Sequence, residues 1–299
     1  MARYASEVYK SAESEKLLKA LYQKHLEKIS VPYAELTIDT RFGATHIVRY
    51  GYPDGIPVLG FHGGNSTNPY SLRPFTQYAD LNAINFIVPD TIGNIGLSAD
   101  RRLSHRSLDY GKWAADVCDA LSLDRIAVFG GSYGAGIALR FAAFAPQRIT
   151  RMMLMVPSGI ANASPIQMMR IALPTVAFMI KPGDNRHLAR AVRPLMPVYD
   201  EEFLEMTRAA VLHTRFEMVM PRNATAKELN ALSAPVYIIA EKHDLLFPGE
   251  KVIARAKHIF LNLAGTMLLE TGGHGAFLHD LGKRPDFFNV INNFFIEAR

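Results

Sequence analysis

The sequence predicts an α/β protein, a mostly parallel sheet covered by helices on both faces. Two observations carry that prediction. Short, continuously apolar runs recur at 58–61, 84–88, 126–129, 152–156, 236–240 and 266–270. Strands buried on both faces read this way, because neither side of the strand meets water. Between several runs lie stretches with helical periodicity, such as Leu108, Trp113, Ala114, Val117 and Leu121, and then 137–144. Strands alternating with helices give a parallel sheet.

The elements follow in chain order. Leu17, Leu18, Leu21, Tyr22, Leu26 and Ile29 repeat at helical spacing, so residues 11–29 form an amphipathic helix that Pro32 closes. Segments 34–40 and 45–50, with Phe42-Gly43 between them, read as an antiparallel pair at a sheet edge. The alternating runs come next. About 80 residues then separate the run ending at Val156 from the run starting at Val236, too long for a loop in a compact domain, so a helical insertion is expected there. Pro165, Pro174, Pro182, Pro194, Pro197 and Pro221 should break it into helices. Residues 1–157 and 229–299 form the core and 158–228 the insertion. Its many methionines are core filler or an adaptable pocket lining.

The bulk composition narrows the function. With 299 residues, 49% hydrophobic and 20% charged, the chain can bury a large core without staples. Its one cysteine, Cys118, forms no internal disulfide. No run of 18 apolar residues suggests a membrane span, and the first ten residues lack the apolar stretch of a secretion signal. A cytoplasmic location is expected. The net charge is +5, but the basic residues are scattered, which argues against nucleic acid as a partner. A homo-oligomer is allowed, since nothing in the sequence fixes the oligomeric state.

The motifs carry a specific chemistry. Gly130-Gly131-Ser132-Tyr133-Gly134 follows the run 126–129 and opens a helix rich in small residues. A serine on such a tight strand-to-helix turn presents its hydroxyl in the open, and Gly130 and Gly134 remove the bulk that the turn cannot hold. Ser132 is the expected nucleophile. Acyl transfer also needs donors for a developing oxyanion. The backbone N–H of Tyr133 supplies one, and the loop Phe61-His62-Gly63-Gly64-Asn65 supplies the second, from Gly64 with Asn65 next. His62 is read as structural. The base is expected after the last strand, at His274 in Thr271-Gly272-Gly273-His274-Gly275, whose glycines leave the ring free to reach Ser132. His279, a weaker candidate, should mark the start of the final helix. The acid is Asp244, in Glu241-Lys242-His243-Asp244 after the run 236–240. The order Ser, Asp, His differs from that of chymotrypsin-like and subtilisin-like proteases.

From about Tyr33 to Arg299 these residues resemble the α/β-hydrolase superfamily. The leading helix, the length and the segment 89–98 (Pro-Asp-Thr-Ile-Gly-Asn-Ile-Gly-Leu-Ser) are similar to bacterial carboxylesterases related to the naproxen-cleaving enzyme. The resemblance implies a helical cap inserted after the sixth strand, small to medium hydrophobic esters as substrates, and no cofactor. The Asp90 segment is one residue longer than the common form, and Glu241 stands where the acid loop usually begins with glycine. Asp90 is read as capping a turn.

Other readings share the fold. Proline iminopeptidases often read His-Gly-Gly-Pro-Gly where this chain has Asn65-Ser66, and their cap acids would correspond in kind to Asp200, Glu201, Glu202 and Glu205. C–C bond hydrolases use the same triad. Dehalogenases and epoxide hydrolases would need Asp at position 132. A non-catalytic ligand receptor is the reading from another class. No cluster of His, Cys and Asp has metal-ligand spacing. The insertion is expected to cover Ser132 with Met168, Met169, Leu173, Phe178 and Met179.

Overall fold

A computed structural model describes residues 5–197, 200–279 and 284–296, without the side chains of Phe277 and His279. The chain opens with helix α1 (Ala12–Leu26), started by Ser11, whose side chain accepts from the Ser14 N–H. The hairpin β1 (Tyr33–Thr40) and β2 (Gly43–Tyr50) follows. Then come β3 (Ile56–Phe61), α2 (Asn68–Thr76), β4 (Ile84–Pro89), α3 (Asp109–Ala120), β5 (Ile126–Gly131), α4 (Tyr133–Phe144) and β6 (Ile149–Met155). Four helices separate β6 from the next strand: α5 (Pro165–Ile180), α6 (Asn185–Val192), α7 (Glu201–His213) and α8 (Ala226–Leu229). The chain ends with β7 (Val236–Glu241), α9 (Gly249–Ile259), β8 (Leu263–Leu269) and α10 (Pro285–Ile296).

The strands form one sheet in the order β1-β2-β4-β3-β5-β6-β7-β8. β1 pairs antiparallel with β2 and β2 with β4, and every later pairing is parallel. The hairpin therefore sits at the edge. Alternate residues of the central strands enter opposite cores, as a two-residue period requires. Leu59, Ile87, Val128, Leu154 and Ile238 join Trp113 and Phe141 on one face. Val58, Phe86, Phe129, Met153 and Ile239 join Phe75, Phe287 and Phe295 on the other.

Several local expectations need correction. Pro174 does not break the insertion, since α5 runs through it. An interior proline removes one backbone hydrogen bond and crowds the preceding turn, a cost that the burial of Ile171, Thr175 and Phe178 on either side of it offsets here. The start of α5 is set firmly by a capping box between Ser164 and Gln167, with Pro165 in the first turn. His279 does not start the final helix: residues Ala276–His279 form a single 3-10 turn and α10 begins at Pro285. The side chain of His279 lies outside the described residues. The helices α2 and α9 have no counterpart in the sequence reading.

Candidate active site

β5 runs into Ser132, which joins strand to helix with φ 50° and ψ −119°. A non-glycine residue rarely adopts positive φ, and such strain persists only where the surroundings hold it. Three backbone bonds do so here. The Ser132 N–H donates to Met155 O at 2.9 Å, and its carbonyl accepts from Ala135 and Ser158 at 3.0 and 3.1 Å. The turn also explains both flanking glycines. A Cβ on Gly134 would lie 2.1 Å from Phe61 O, and one on Gly130 would lie 2.7 Å from Ala135 Cα.

The loops after β7 and β8 bring the other two residues to this serine. Ser132 Oγ lies 2.9 Å from His274 Nε2, and His274 Nδ1 lies 2.6 Å from Asp244 Oδ2. Asp244 is buried, and its other oxygen accepts from the Leu246 and Phe247 N–H groups at 2.7 and 3.1 Å. Phe247 packs edge-on against the His274 ring at 5.4 Å. The carboxylate is thus fixed, with one face turned to the imidazole.

Glu241 has a different place. Fully buried, it accepts at Oε2 from the Thr271 N–H and hydroxyl at 2.9 and 2.7 Å, and at Oε1 from the N–H groups of His243 and Gly272. This carboxylate ties the loop carrying Asp244 to the loop carrying His274. A glycine at position 241 would offer these four donors no carboxylate. The glycines beside His274 also make room for a neighbouring segment. A Cβ on Gly273 would sit 3.0 Å from Leu195 O, and one on Gly275 would sit 2.7 Å from Met196 Cε. They let the insertion approach the histidine loop, where Gly275 N–H donates to Leu195 O.

The loop after β3 lies against the start of α4, with a Cβ on Gly64 only 3.1 Å from that of Tyr133. The Asn65 N–H donates to Asn94 Oδ1 at 3.4 Å. Among the described residues the N–H groups of Gly64 and Tyr133 have no hydrogen-bond acceptor, whereas that of Asn65 is taken. His62 is buried, and burial holds its pKa below the ordinary histidine value. The neutral ring bridges Gly63 O and the Thr91 N–H, linking the loops after β3 and β4. Asp90 accepts from Tyr22, Asn68 and the Leu97 N–H and lies 3.1 Å from His46 Nδ1, so it closes the turn expected of it and also anchors α1.

A cavity of about 700 Å³ opens above Ser132, lined by Gly64, Tyr133 and His274 from below. The insertion lines it from above with Met168, Ile171, Thr175, Val192, Leu195, Met206, Phe216, Met218 and Met220. Of the five side chains expected there, only Met168 contributes. Phe178 is buried with Leu188, Val192, Met196 and Val211, while Met169, Leu173 and Met179 stand in solvent. Helical spacing identifies a face without saying which way it points.

One network had no signal in the sequence. Tyr133 Oη lies 2.9 Å from Tyr110 Oη and 3.1 Å from His105 Nδ1. His105 Nε2 lies 3.6 Å from Glu217, which also pairs with Arg102, and its backbone carbonyl accepts from the Asn65 side chain. Burial lowers the His105 pKa, against the pull of Glu217. The insertion is thereby tied to the residue that follows Ser132. The acids Glu202 and Glu205 are already paired, with Arg73 and Lys28 and with Lys24 respectively, and Asp200 caps α7 at the cavity wall.

Comparison with known proteins agrees with this architecture. The family described as alpha/beta hydrolase fold matches residues 56–182. The chain is 22% identical over 262 residues to the uncharacterized carboxylesterase nap of Bacillus subtilis (strain 168), covering 84% of this chain and 85% of the relative. Naproxen esterase from Bacillus subtilis superposes with a TM-score of 0.79 at 18% identity, over 95% of this chain and 99% of that one. Carboxylesterase CesB of the same organism gives 0.80 at 19% identity, over 96% and 100%. The chain has the α/β-hydrolase fold.

Proposed function

We propose that this protein is a serine hydrolase, a carboxylesterase that cleaves small to medium hydrophobic esters through an acyl-enzyme on Ser132. The observation that carries the reading is the hydrogen-bonded line from Ser132 through His274 to Asp244, at 2.9 and 2.6 Å. His274 takes the serine proton as Oγ attacks the ester carbonyl. Asp244 holds Nδ1 protonated and stabilises the imidazolium that forms. The N–H groups of Gly64 and Tyr133 receive the oxyanion, and the strained backbone at Ser132 keeps the hydroxyl aimed at the substrate. His274 then protonates the leaving alcohol. Water, activated by the same histidine, releases the acid and restores the serine.

The insertion acts as the cap in this reading. Its methionine-rich underside favours apolar acyl or aryl groups, each methylene removed from water contributing about 0.8 kcal/mol. An aminopeptidase would need a carboxylate free to hold the substrate amine, whereas of the acids at the cavity Glu217 pairs with Arg102 and Asp200 accepts from the Phe203 N–H, and Glu202 and Glu205 are in ion pairs elsewhere. The test is kcat/KM for nitrophenyl acetate, butyrate, octanoate and palmitate beside a prolyl anilide. Butyrate and octanoate should exceed acetate. A prolyl anilide turned over faster than every ester would overturn the esterase reading.

A further inference from the structure

The outer face of α5 is apolar and bare. Ile166, Met169, Leu173, Val176 and Ile180 are between 49% and 79% exposed. Their spacing alternates three and four residues, which at 3.6 residues per turn confines them to an arc of about 80°. The opposite side of the same helix does the packing: Met168, Ile171 and Thr175 line the cavity and Phe178 is buried. Single exposed apolar residues are ordinary, but a contiguous stripe along a helix marks a surface that meets something.

Charge decides what. Residues 165–197 hold five exposed cations, Arg170, Lys181, Arg186, Arg190 and Arg193, against one carboxylate, Asp184, which pairs with Arg186. Among the described residues the other four cations form no ion pair. Helical geometry puts Arg170 and Lys181 on one flank of the stripe. The acids of the insertion that are in ion pairs with the core, Glu202, Glu205, Glu217 and Glu228, hold Lys24, Lys28, Arg73, Arg102 and Arg140 and do not neutralise this segment. A second copy docked here across a twofold axis would bring cations against cations. An anionic lipid surface suits both halves of the pattern, its acyl layer taking the stripe and its headgroups the cations.

We infer that α5 docks this protein on anionic lipid–water interfaces. The helix lies flat, with its apolar face in the headgroup boundary. An ester dissolved in that surface is then held next to the helix whose inner face lines the cavity. This last consequence rests on the esterase reading, whereas the docking itself does not.

Flotation with phosphatidylcholine vesicles, with and without phosphatidylglycerol, tests it without using ester turnover. The wild-type protein should float with the anionic vesicles and much less with the neutral ones. Leu173→Asp with Val176→Asp should lower the partition by roughly tenfold or more, and Arg170→Glu with Arg190→Glu should abolish the preference for phosphatidylglycerol. Both variants should keep the wild-type melting temperature, because the altered side chains are exposed. A wild-type protein left in the soluble fraction with anionic vesicles overturns the proposal, as does equal binding by the variants. A dimer in sedimentation velocity that Leu173→Asp with Val176→Asp splits also overturns it, since the stripe then belongs to a second copy.

Discussion

Around Ser132 the sheet edge and the insertion meet at one cavity, and they are held by different means. On the sheet side, short loops after β3, β5, β7 and β8 are pinned by backbone hydrogen bonds and buried carboxylates, as at Ser132, Asp244 and Glu241. On the insertion side, apolar side chains face the cavity and a few polar ties, Glu217 to Arg102 and Leu195 O to Gly275 N–H, seat the helices. A position on the first side tolerates little displacement, because reacting groups must meet within hydrogen-bond reach. A position on the second can change shape with little effect on the chemical step. In the proposed reading the sheet side sets whether a bond is cleaved, and the insertion sets which substrates reach it.

Beyond the nucleophile itself, the largest expected effect is at Asp244. Asp244→Asn should lower kcat by about 10⁴ for every substrate, since the amide holds the wrong histidine tautomer. Glu241→Gln separates alignment from catalysis. It should cost about 2–4 kcal/mol of stability by weakening charge-assisted bonds to Thr271 and Gly272, with a smaller loss of kcat. Urea unfolding beside kinetics of the folded fraction distinguishes the two, and a greater kcat loss at Glu241 would reassign the acid. Gly64→Pro removes one proposed oxyanion donor and should lower kcat by about 10²–10³ with KM nearly unchanged. Unaltered kcat in a variant with normal melting would move the donor to another residue.

Much of the sheet side was legible in the sequence. Strands buried on both faces show as unbroken apolar runs, and a nucleophile turn needs glycines whose spacing is visible. Glu241 read only as a departure from a pattern, because its partners are backbone groups that the fold brings near. His105 and Glu217 gave no signal, since a contact between distant loops leaves no local period. The stripe on α5 was visible as spacing, but both faces of that helix are apolar, so periodicity could not choose the buried one. The helices α2 and α9 were missed for a related reason: Pro69 and Pro74 disguise the first, and Glu250, Lys251, Arg255 and Lys257 interrupt the apolar positions of the second.

Smaller effects sharpen the same contrast where the insertion is seated. His25, near the end of α1, is buried against Thr67 at the start of α2, 3.8 Å from Glu202 of α7, and burial lowers its pKa to about 4. The unfolded chain binds a proton near pH 6.5 that the folded one refuses until about pH 4. The contribution is therefore full above pH 6.5 and is lost as pH falls toward 4, at up to about 1.4 kcal/mol per pH unit. Urea unfolding between pH 7 and 4.5 should fall more steeply for wild type than for His25→Gln, and parallel profiles would remove His25 from the account. Tyr133→Phe keeps the backbone donor and loses the hydroxyl's contacts to Tyr110 and His105. It should change kcat by about five- to tenfold, the scale of one or two modest hydrogen bonds, and a loss near 10³ would make the tyrosine side chain part of the chemistry.

The most direct measurement is covalent labelling by a fluorophosphonate, followed by intact-protein mass and peptide mapping. One adduct should form on Ser132, be absent from Ser132→Ala and form far more slowly in His274→Ala. A folded wild-type protein that stays unlabelled, or an adduct that persists on Ser132→Ala at the same rate, would contradict the assignment of Ser132 as nucleophile.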